Sequence, residues 1–347
     1  MSDFLGSNNE WDSLEEIIVG TSINAQIPNK DKGQLAIEFP DIAIDKIKSG
    51  AFSTKVIEET EEDLYSLVEA LQSCNVTVRR PSIIEHSCEF KTIDWKSDGF
   101  YNYCPRDPIL IIGKTIIETP MALRCRFLEP FAYKNIFIEY MQEGAKWISA
   151  PKPRLLDSIY NVNNREESPL TNEEPIFDAA NVLRAGKDIF FLISSTGNEL
   201  GYLWLQTILG ESYRVHPIRN LYSGVHIDST IALLRPGLVL LNPARVNDEN
   251  LPEPLRKWDK IWCPNMVDTG YTGEHAYSSV WVGMNLLMIN PNLAIVDRRQ
   301  IELIKILEKN QIDVIQLELR HSRTLGGGFH CVTLDTKRKG IFENYFE

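Results

Sequence analysis

Residues 109–118 read ILIIGKTIIE, and this stretch decides the fold class that we expect. Two apolar runs of strand length, Ile109–Ile112 and Thr115–Glu118, flank the two residues Gly113 and Lys114. A short connection containing glycine between such runs is typical of a β-hairpin, because glycine adopts the positive φ angles of tight turns without steric cost. We therefore predict an antiparallel pair here, which argues against a doubly wound sheet of parallel strands.

A second predicted hairpin joins Thr230–Leu233 to Leu238–Leu241 through the turn at residues 235–237 (RPG). Further runs of strand length lie at Leu14–Val19, Val76–Val78, Ile189–Leu192, Arg214–Pro217, Lys260–Trp262, Leu293–Asp297 and Asp313–Glu318. Apolar residues recur with helical spacing at Glu61–Ser73, Asn198–Leu209 and Gln300–Lys309. This alternation predicts a repeated mixed α/β unit, and we interpret the polar stretch 161–174 as a surface loop rather than a domain boundary.

Bulk composition restricts the class of protein. The 347 residues include 36 Lys and Arg against 48 Asp and Glu, a formal net charge of −12. This acidic balance argues against binding to the phosphate backbone of nucleic acids. The six cysteines form no CxxC pair, so zinc-ribbon and thioredoxin-like sites have no support. Because the sequence shows neither a signal peptide nor a long apolar run, we expect no membrane span and a cytoplasmic protein with free thiols.

The first candidate for chemistry is the segment 326–331, which reads GGGFHC. Three consecutive glycines cost chain entropy on folding, and they allow unusual backbone angles or a close approach to a ligand. Cys331 directly follows this turn, where a cysteine with an exposed sulfur and a depressed pKa would be a nucleophile. An ordinary glycine-rich turn followed by a buried cysteine fits the local sequence as well.

A second candidate is the pair His226 and Asp228, which one residue separates. In a strand, positions i and i+2 point to the same face, so we expect the two side chains to project together. Histidine transfers protons near neutral pH, and a carboxylate beside it can bind a cation or orient a substrate. A structural His–Asp pair fits equally well, and the other histidines are not spaced as metal ligands.

Three more polar residues lie where functional sites often occur. Asp178 precedes Ala-Ala-Asn, which is also typical of a turn or helix cap. Asp107 comes just before the first predicted hairpin, and Arg245 follows a predicted strand, where it could hold a carboxylate through paired hydrogen bonds. Taken together, the candidates supply a thiol, an imidazole, three carboxylates and a guanidinium. A guanidinium substrate needs such a set, because it requires fixed carboxylates, a soft nucleophile and a general acid.

Several ordered motifs resemble the arginine:glycine amidinotransferases. These motifs are residues 9–20 (NEWDSLEEIIVG), 104–107 (CPRD), 118–127 (ETPMALRCRF), 175–190 (PIFDAANVLRAGKDIF), 226–228 (HID) and 325–331 (LGGGFHC). The resemblance implies one domain over residues 1–347, folded as five ββαβ modules in a pseudo-fivefold α/β propeller. It also implies that the active site lies in the central channel of that propeller.

The same resemblance implies a role for each candidate residue. Cys331 matches the nucleophile, His226 the general acid and base, and Asp178 the carboxylate that orients the histidine. The residues implied to bind substrate are Asp107 and Asp228 for the guanidinium, and Arg245 with Ser278 or Ser279 for the substrate carboxylate. The implied reaction is ping-pong transfer of the amidino group of L-arginine to an amine through an amidino-cysteine, with release of ornithine. It requires no metal or organic cofactor, and we expect a homodimer because homodimers are common in the family.

The chain departs from the glycine-using members of the family just before the histidine. Ser223 and Val225 stand where those members have an asparagine and a methionine. Both residues are smaller, so we expect a wider pocket and an acceptor larger than glycine, such as an intermediate of toxin or other natural-product biosynthesis. Two other interpretations stay open: an arginine deiminase-like hydrolase with water as acceptor, and a non-catalytic arginine-binding protein on the same scaffold.

Overall fold

Five three-stranded sheets organise the chain in a computed structural model, which describes residues 5–162 and 168–346. The strands are β1 (Ser13–Val19), β2 (Gln26–Ile27), β3 (Gly50–Ala51), β4 (Thr77–Arg79), β5 (Phe90–Lys91), β6 (Lys96–Ser97), β7 (Ile109–Ile112), β8 (Thr115–Glu118), β9 (Lys146–Ser149), β10 (Val182–Ala185), β11 (Asp188–Leu192), β12 (Arg214–Ile218), β13 (Ile231–Arg235), β14 (Leu238–Leu241), β15 (Asp259–Trp262), β16 (Leu287–Asn290), β17 (Leu293–Asp297), β18 (Asp313–Leu317) and β19 (Thr333–Lys339).

Helices occupy much of the connecting sequence. The α-helices are α1 (Lys32–Ile37), α2 (Thr54–Ser73), α3 (Lys134–Gln142), α4 (Glu199–Leu209), α5 (Ile301–Lys309) and α6 (Ser322–Leu325). Short 3-10 helices lie at Ile44–Lys46, Arg124–Arg126, Glu129–Tyr133, Asp157–Ile159, Ala179–Asn181, Gly210–Ser212, Glu253–Lys257 and Val280–Met284. None of the helices in the described ranges is long and apolar enough to cross a membrane.

All five sheets share one topology. Their strand orders are β19-β1-β4, β7-β8-β9, β10-β11-β12, β13-β14-β15 and β16-β17-β18. In each sheet the middle strand pairs antiparallel with the strand named first and parallel with the strand named third. A parallel pair needs a crossover connection, and a helix lies in each crossover here. The chain therefore repeats a strand–strand–helix–strand unit, which confirms the predicted mixed unit.

The hairpin predicted at residues 109–118 is present. Leu110 pairs with Ile117, and all four residues of β7 are buried. Gly113 has a φ of +54°, which supports the predicted role of glycine in this tight turn. Gly186 has the same role in the β10–β11 hairpin, with a φ of +67°. A Cβ atom at Gly186 would also lie 2.1 Å from the carbonyl oxygen of Glu343, so any side chain there would force the backbone apart.

Helix α2 shows how the crossover helices attach to the sheets. Its N-cap, Ser53, accepts a hydrogen bond from the backbone N–H of Val56, which satisfies one donor of the first turn. Leu64, Leu67 and Leu71 lie on one face and are fully buried. Burial of leucine side chains of this kind contributes about 1.5–3 kcal/mol each. The helix thus covers its sheet with an apolar stripe, as its periodicity predicted.

One sheet joins the two ends of the described chain. Strand β1 pairs with β19 in register from Ser13 opposite Lys339 to Val19 opposite Thr333. The hydroxyl of Ser7 donates a hydrogen bond to Asp335 over 2.7 Å, across 328 positions of sequence. The unit that carries β19 is therefore completed only by the N-terminal strand.

Some expectations about local structure are corrected here. His226 and Asp228 lie in a turn before β13 and not in a strand, because the N–H groups of Thr230 and Ile231 both bond to the carbonyl of Ile227. The shared-face argument for the pair was therefore wrong, although both residues do reach the same site. Of the polar stretch 161–174, residues 163–167 lie outside the described residues, and the rest contains no helix or multi-residue strand.

Candidate active site

Five polar residues occupy equivalent places, just before the first strand of each three-stranded sheet. They are Asp107 before β7, Asp178 before β10, Asp228 before β13, Asn285 before β16 and Cys331 before β19. His226 joins Asp107 and Asp178, while hydrogen bonds connect Asp228, His330, Cys331 and Asn285. The charges of His226 and Asp228 interact, which brings the two groups into one cluster. The repeated unit therefore collects one polar side chain from each of its five copies.

The three glycines before Cys331 are required for different reasons. Gly326 ends α6 with a φ of +85°, a left-handed conformation that favours glycine. A Cβ atom at Gly327 would lie 2.7 Å from the sulfur of Cys104, and one at Gly328 would lie 2.7 Å from the Cβ of Asn285. The first glycine therefore supplies a backbone angle, and the next two supply space for the loop to press against the site.

Cys331 is 5% exposed, and its thiol donates a hydrogen bond to Asp228 Oδ2 over 3.1 Å. The side-chain oxygen of Asn285 accepts hydrogen bonds from the backbone N–H groups of Cys331 and His330, each over 3.0 Å. The neighbouring thiol of Cys104, burial and the charge of Asp228 raise the pKa of Cys331 well above its ordinary value. The expectation of an exposed sulfur with a depressed pKa was wrong for these surroundings, and a cation placed beside the thiol would reverse the shift.

His226 lies between two carboxylates. Its Nε2 is 3.1 Å from Asp178 Oδ2, and its Nδ1 is 3.8 Å from Asp107 Oδ1. Burial lowers the pKa of His226, but the carboxylates of Asp107 and Asp178 outweigh burial and raise it to about 9. The imidazole is therefore protonated near neutral pH, which is the form that donates a proton to a leaving group.

Asp107 accepts a hydrogen bond at one carboxylate oxygen and none at the other. Arg126 donates to Asp107 Oδ2 over 2.7 Å and is itself held by Glu129 through both carboxylate oxygens. The other oxygen, Oδ1, is buried and has no hydrogen-bond partner among the described residues. A buried carboxylate oxygen left unsatisfied is costly, so this atom points to a cationic or hydrogen-bonding ligand.

Asp228 is held from behind by His330. The distance from Asp228 Oδ2 to His330 Nδ1 is 3.0 Å, and His330 Nε2 lies 3.3 Å from Glu10 Oε2. Although burial raises the pKa of Asp228, the hydrogen bond and charge of His330 and the charge of His226 hold it well below its usual range. Asp228 therefore stays ionised beside the thiol.

Beneath this pair lies a closed network of buried charges, which we call the floor and define as Glu10, Arg106, Arg184, His330 and Asp335. Arg184 contacts Glu10 and Asp335 through paired hydrogen bonds of 2.8–2.9 Å. Arg106 donates to Asp335 over 2.6 Å and to the carbonyl of His330 over 3.0 Å. The floor thus connects the nucleophile's strand to the N-terminal segment.

Arg245 lies on another side of the site. Its guanidinium donates to the hydroxyls of Ser229 and Thr230, and it reaches Ser279 Oγ over 3.3 Å. The hydroxyl of Ser278 instead bonds to the carbonyl of Ser322 over 3.3 Å. Of the two serines named from the sequence, Ser279 is therefore the one that the structure brings to Arg245.

Ser223 and Val225 lie just before His226. Ser223 is exposed, and its carbonyl accepts a hydrogen bond from the N–H of Ser195. The carbonyl of Val225 accepts from the hydroxyls of Ser194 and Thr196, and its side chain packs on the core cluster that contains Cys331. Both residues therefore belong to the wall of the site.

Comparison with known proteins agrees with this geometry. Over 340 residues the chain is 55% identical to inosamine-phosphate amidinotransferase 1 of Streptomyces glaucescens, which spans 97% of this chain and 98% of that protein. It is 36% identical to the mitochondrial glycine amidinotransferase of Xenopus tropicalis, with 98% of this chain and 84% of that one covered. The chain belongs to the arginine:glycine amidinotransferase family. It is a transferase of one-carbon amidino groups.

Solved structures of other amidinotransferases show the same fold. The inosamine-phosphate amidinotransferase of Streptomyces griseus superimposes with a TM-score of 0.98 at 54% identity, covering 99% of this chain and 100% of that one. An amidinotransferase from Microseira wollei in the saxitoxin biosynthetic pathway superimposes with a TM-score of 0.91 at 36% identity, covering 99% of both chains. No family model matches the chain.

Sequence reasoning missed two residues of this amidinotransferase. Asn285 orients the backbone of Cys331, and its position before the β16–β17 hairpin was the only signal that could have revealed it. Glu38 follows α1 and is partly exposed. Burial, together with the charges of Asp178 and Asp107, raises the pKa of Glu38 to about 7, although the charges of Arg126 and His226 lower it. No local motif indicates a carboxylate there.

The described part of this amidinotransferase contains no group of three or more His, Cys, Asp or Glu side chains arranged to hold a metal ion. The five polar residues that precede the sheets, which we call the entry residues (Asp107, Asp178, Asp228, Asn285 and Cys331), contact each other, histidines or arginines instead. Their arrangement can bind a planar cation between carboxylates, attack it with sulfur and supply a proton from imidazole.

Proposed function

We propose that this amidinotransferase takes the amidino group from L-arginine and passes it to an amine by a ping-pong reaction through an amidino-cysteine at Cys331. The observation that carries the proposal is the buried oxygen Oδ1 of Asp107, which accepts no hydrogen bond from the described residues, together with ionised Asp228 beside the thiol. A guanidinium group satisfies such oxygens with its fixed N–H donors.

The donor would lie between the two carboxylates and Arg245. Asp107 and Asp228 would bind the guanidinium, while Arg245 and Ser279 would bind the α-carboxylate of arginine through charge-assisted hydrogen bonds. The positive charge of the guanidinium would lower the pKa of the Cys331 thiol, which its own surroundings raise. Binding of the donor thus prepares its own nucleophile.

In the first half-reaction, the sulfur of Cys331 forms a bond to the amidino carbon, and the bond from that carbon to the side-chain nitrogen of arginine breaks. His226 gives a proton to this nitrogen, which leaves as the amine of ornithine, and takes up the proton of the thiol. Asp178 holds the imidazole in place, so we propose it as a positioning residue.

In the second half-reaction, an acceptor amine forms a bond to the amidino carbon, and the bond from carbon to sulfur breaks. The proton lost by the amine passes through His226 to the sulfur, which restores the thiol. Ornithine and the acceptor use the same reacting position in turn, so one histidine serves both halves.

The acceptor is proposed to be larger than glycine. Ser223 and Val225 leave room before His226, and inosamine phosphate appears in the names of relatives that are 55% identical. We therefore propose an aminocyclitol phosphate as the first acceptor to test, within a natural-product pathway. An intermediate of saxitoxin type is the second, because the Microseira wollei enzyme acts in that pathway.

The proposal is tested by the intact mass of the protein after incubation with L-arginine alone, for the parent and for Cys331→Ala. We expect the parent to gain the mass of one amidino group and to release ornithine, and the variant to do neither. Steady production of citrulline without an adduct would replace transfer with hydrolysis. Absence of both adduct and products would favour a protein that only binds arginine.

Three wider expectations belong with this proposal. The five equivalent sheets would close into one pseudo-fivefold propeller that spans residues 1–347 as a single domain, with the entry residues facing a central channel. A homodimer is expected because homodimers are common in the family, and analytical ultracentrifugation tests this expectation. A cytoplasmic location is expected for an enzyme that depends on a free thiol.

A further inference from the structure

A cavity of about 690 Å³ opens beside the segment that precedes His226. One wall is formed by the end of α1 with Ala36 and Ile37, and the other by Ser194, Ser195 and Ser223. Neither Cys331 nor the carboxylates of the cluster line it, nor does Arg245. The cavity is therefore a space next to the catalytic cluster and not the donor site itself.

Ser195 marks the cavity as a binding site. The residue is 5% exposed and lines the cavity, yet its hydroxyl has no hydrogen-bond partner among the described residues. Its backbone N–H is already used by the carbonyl of Ser223. Buried hydroxyls are nearly always hydrogen-bonded, so an unpartnered one on a residue that lines a cavity points to a hydroxyl or other polar group of a ligand.

Tyr222 separates this cavity from the proposed site for the arginine carboxylate. Its ring lines the cavity, and the guanidinium of Arg245 stacks on the ring at 3.6 Å from the centroid. Gly224 allows this position, because a Cβ atom there would lie 2.2 Å from the hydroxyl oxygen of Tyr222. Substrate groups bound at Arg245 and groups bound in the cavity would thus lie on opposite sides of one ring.

Glu38 connects the cavity to the catalytic cluster. It directly follows Ile37, which lines the cavity, and its charge interacts with His226, Asp178 and Asp107. No hydrogen bond or ion pair of its side chain occurs among the described residues. A carboxylate in this position would bind the ammonium form of an incoming amine before His226 removes a proton.

We propose that this cavity holds the body of the acceptor, a hydroxylated ring, so that the acceptor and arginine extend from Cys331 in different directions. The inference rests on the proposed function and names the place where its acceptor binds. Ring hydroxyls bond to Ser195 and Ser223, and the amine reaches the amidino carbon past Glu38. Arg219 is the one cationic side chain among the described residues of the lining, and its guanidinium pairs with Glu199 of the same lining. A phosphate at the rim would share Arg219 with that carboxylate.

Two assays separate the halves of the reaction. Exchange of labelled ornithine into arginine reports the donor half alone, and discharge of the amidino-enzyme by inosamine phosphate reports the acceptor half. The probe is myo-inositol 1-phosphate, which has the ring and the phosphate but no amine. We expect it to compete with inosamine phosphate and to leave the KM of arginine in the exchange unchanged, because it avoids the donor site.

The variant Ser195→Ala tests the same point without the probe. We expect its KM for inosamine phosphate to rise about fivefold to tenfold, the loss of one hydrogen bond, with the KM of arginine unchanged. Ser66→Ala, at an exposed serine on α2, is the matched control and should alter neither constant.

Competition between myo-inositol 1-phosphate and arginine in the exchange would overturn the inference, as would an equal rise of both constants in Ser195→Ala. In either case normal exchange would leave the proposed function standing. A parent enzyme without any exchange would overturn the proposed function and this inference with it.

Discussion

The floor beneath Cys331 and the wall of the cavity formed by Ser194, Ser195 and Ser223 differ in whether their buried polar groups have hydrogen-bond partners. In the floor, Arg184 is 1% exposed and all of its guanidinium nitrogens have partners in Glu10, Asp335, Ser7 or the carbonyl of Ile111. In the wall, the hydroxyl of Ser195 is buried and has no hydrogen-bond partner among the described residues. The floor is complete by itself, whereas the wall is complete only with a ligand.

This difference separates shared chemistry from substrate choice. Removal of one partner from a buried ion network leaves an uncompensated charge, so the floor tolerates little change. Residues whose polar groups have no partner in the protein can be substituted when the ligand changes, because they contribute little to the stability of the fold. We expect amidinotransferases with different acceptors to share the floor and to differ along the wall.

The largest expected effect comes from breaking the floor. Arg184→Met should lower the free energy of unfolding by about 3–5 kcal/mol, because the buried carboxylates of Glu10 and Asp335 lose the guanidinium that pairs with both, and Arg106 stays within 3.6 Å of Glu10 as its remaining cation. Urea denaturation measures the change. The control is Arg154→Met, which removes a surface pair with Asp94 and should cost at most about 1 kcal/mol. Equal losses in the two variants would contradict the contrast between floor and surface.

The next effect concerns the proton of His226. Asp178→Asn should lower kcat about 10²–10⁴-fold, because the imidazole loses its orienting carboxylate. The carboxylates raise the pKa of His226 to about 9, so the parent should keep its rate of ornithine release until the pH rises through about 9. Loss of Asp178 lowers this pKa, and the decline should move to lower pH.

Rates of ornithine release between about pH 6 and pH 10 measure this limb. Asp188→Asn is a suitable control, because it also removes a carboxylate that pairs with a histidine. Asp188 lies 2.6 Å from His216 and is not part of the cluster around His226. That variant should leave the limb where it is. If the rate of ornithine release in Asp178→Asn declined at the same pH as in the parent, His226 would not be the residue that transfers the proton.

A smaller effect is expected at the wall. Glu38→Gln should raise the KM of the acceptor about tenfold and leave the KM of arginine unchanged, because an ammonium loses its carboxylate partner. Glu38→Gln should increase the free energy of unfolding above neutral pH, whereas Arg184→Met should decrease it. The raised pKa of Glu38 penalises the folded state once the pH exceeds the ordinary value of about 4.5, and the penalty is complete above about 7.

Thermal unfolding of Glu38→Gln should therefore show a gain in stability at pH 8 that is absent at pH 4. Glu58→Gln, at an exposed position of α2, provides the comparison and should show neither the kinetic nor the thermal change. A loss of stability at pH 8 would mean that Glu38 belongs functionally with the floor.

The smallest effect distinguishes two adjacent serines. Ser279→Ala should raise the KM of arginine about twofold to fivefold, because Arg245 loses one of the groups that orient it. Ser278→Ala should change it less, since that hydroxyl bonds to the carbonyl of Ser322. Steady-state kinetics compare the two, and a larger effect of Ser278→Ala would reverse the assignment.

Local patterns predicted the elements whose stability is local. The hairpin at residues 109–118 and the helix α2 have apolar periodicity that suffices to identify them. Strand β10 was missed because Arg184 interrupts its apolar run, and the partners that make a buried arginine tolerable lie 174 and 151 positions away. Strand β19 reads TLDTKRK and was missed for the same reason.

The candidate site divides in a similar manner. Cys331, His226 and three aspartates carry their chemistry in their residue types, and the resemblance to a family gave each a position. Their distances, the raised pKa of the thiol and the choice of Ser279 over Ser278 depend on contacts between different sheets. Asn285 and Glu38 have no distinctive local sequence, so only the fold could reveal them.

The pairing of β19 with β1 has a consequence for how the enzyme comes into being. Cys331 belongs to the last of the repeated units to leave the ribosome, and the strand that follows it, β19, pairs with β1, which is made more than 300 residues earlier. Until β19 has been made, the aspartates and His226 can come together without Cys331, although Cys104 is already present. Cys331, the proposed nucleophile, is therefore synthesised after Cys104 and Asp228, the residues that raise the pKa of its thiol.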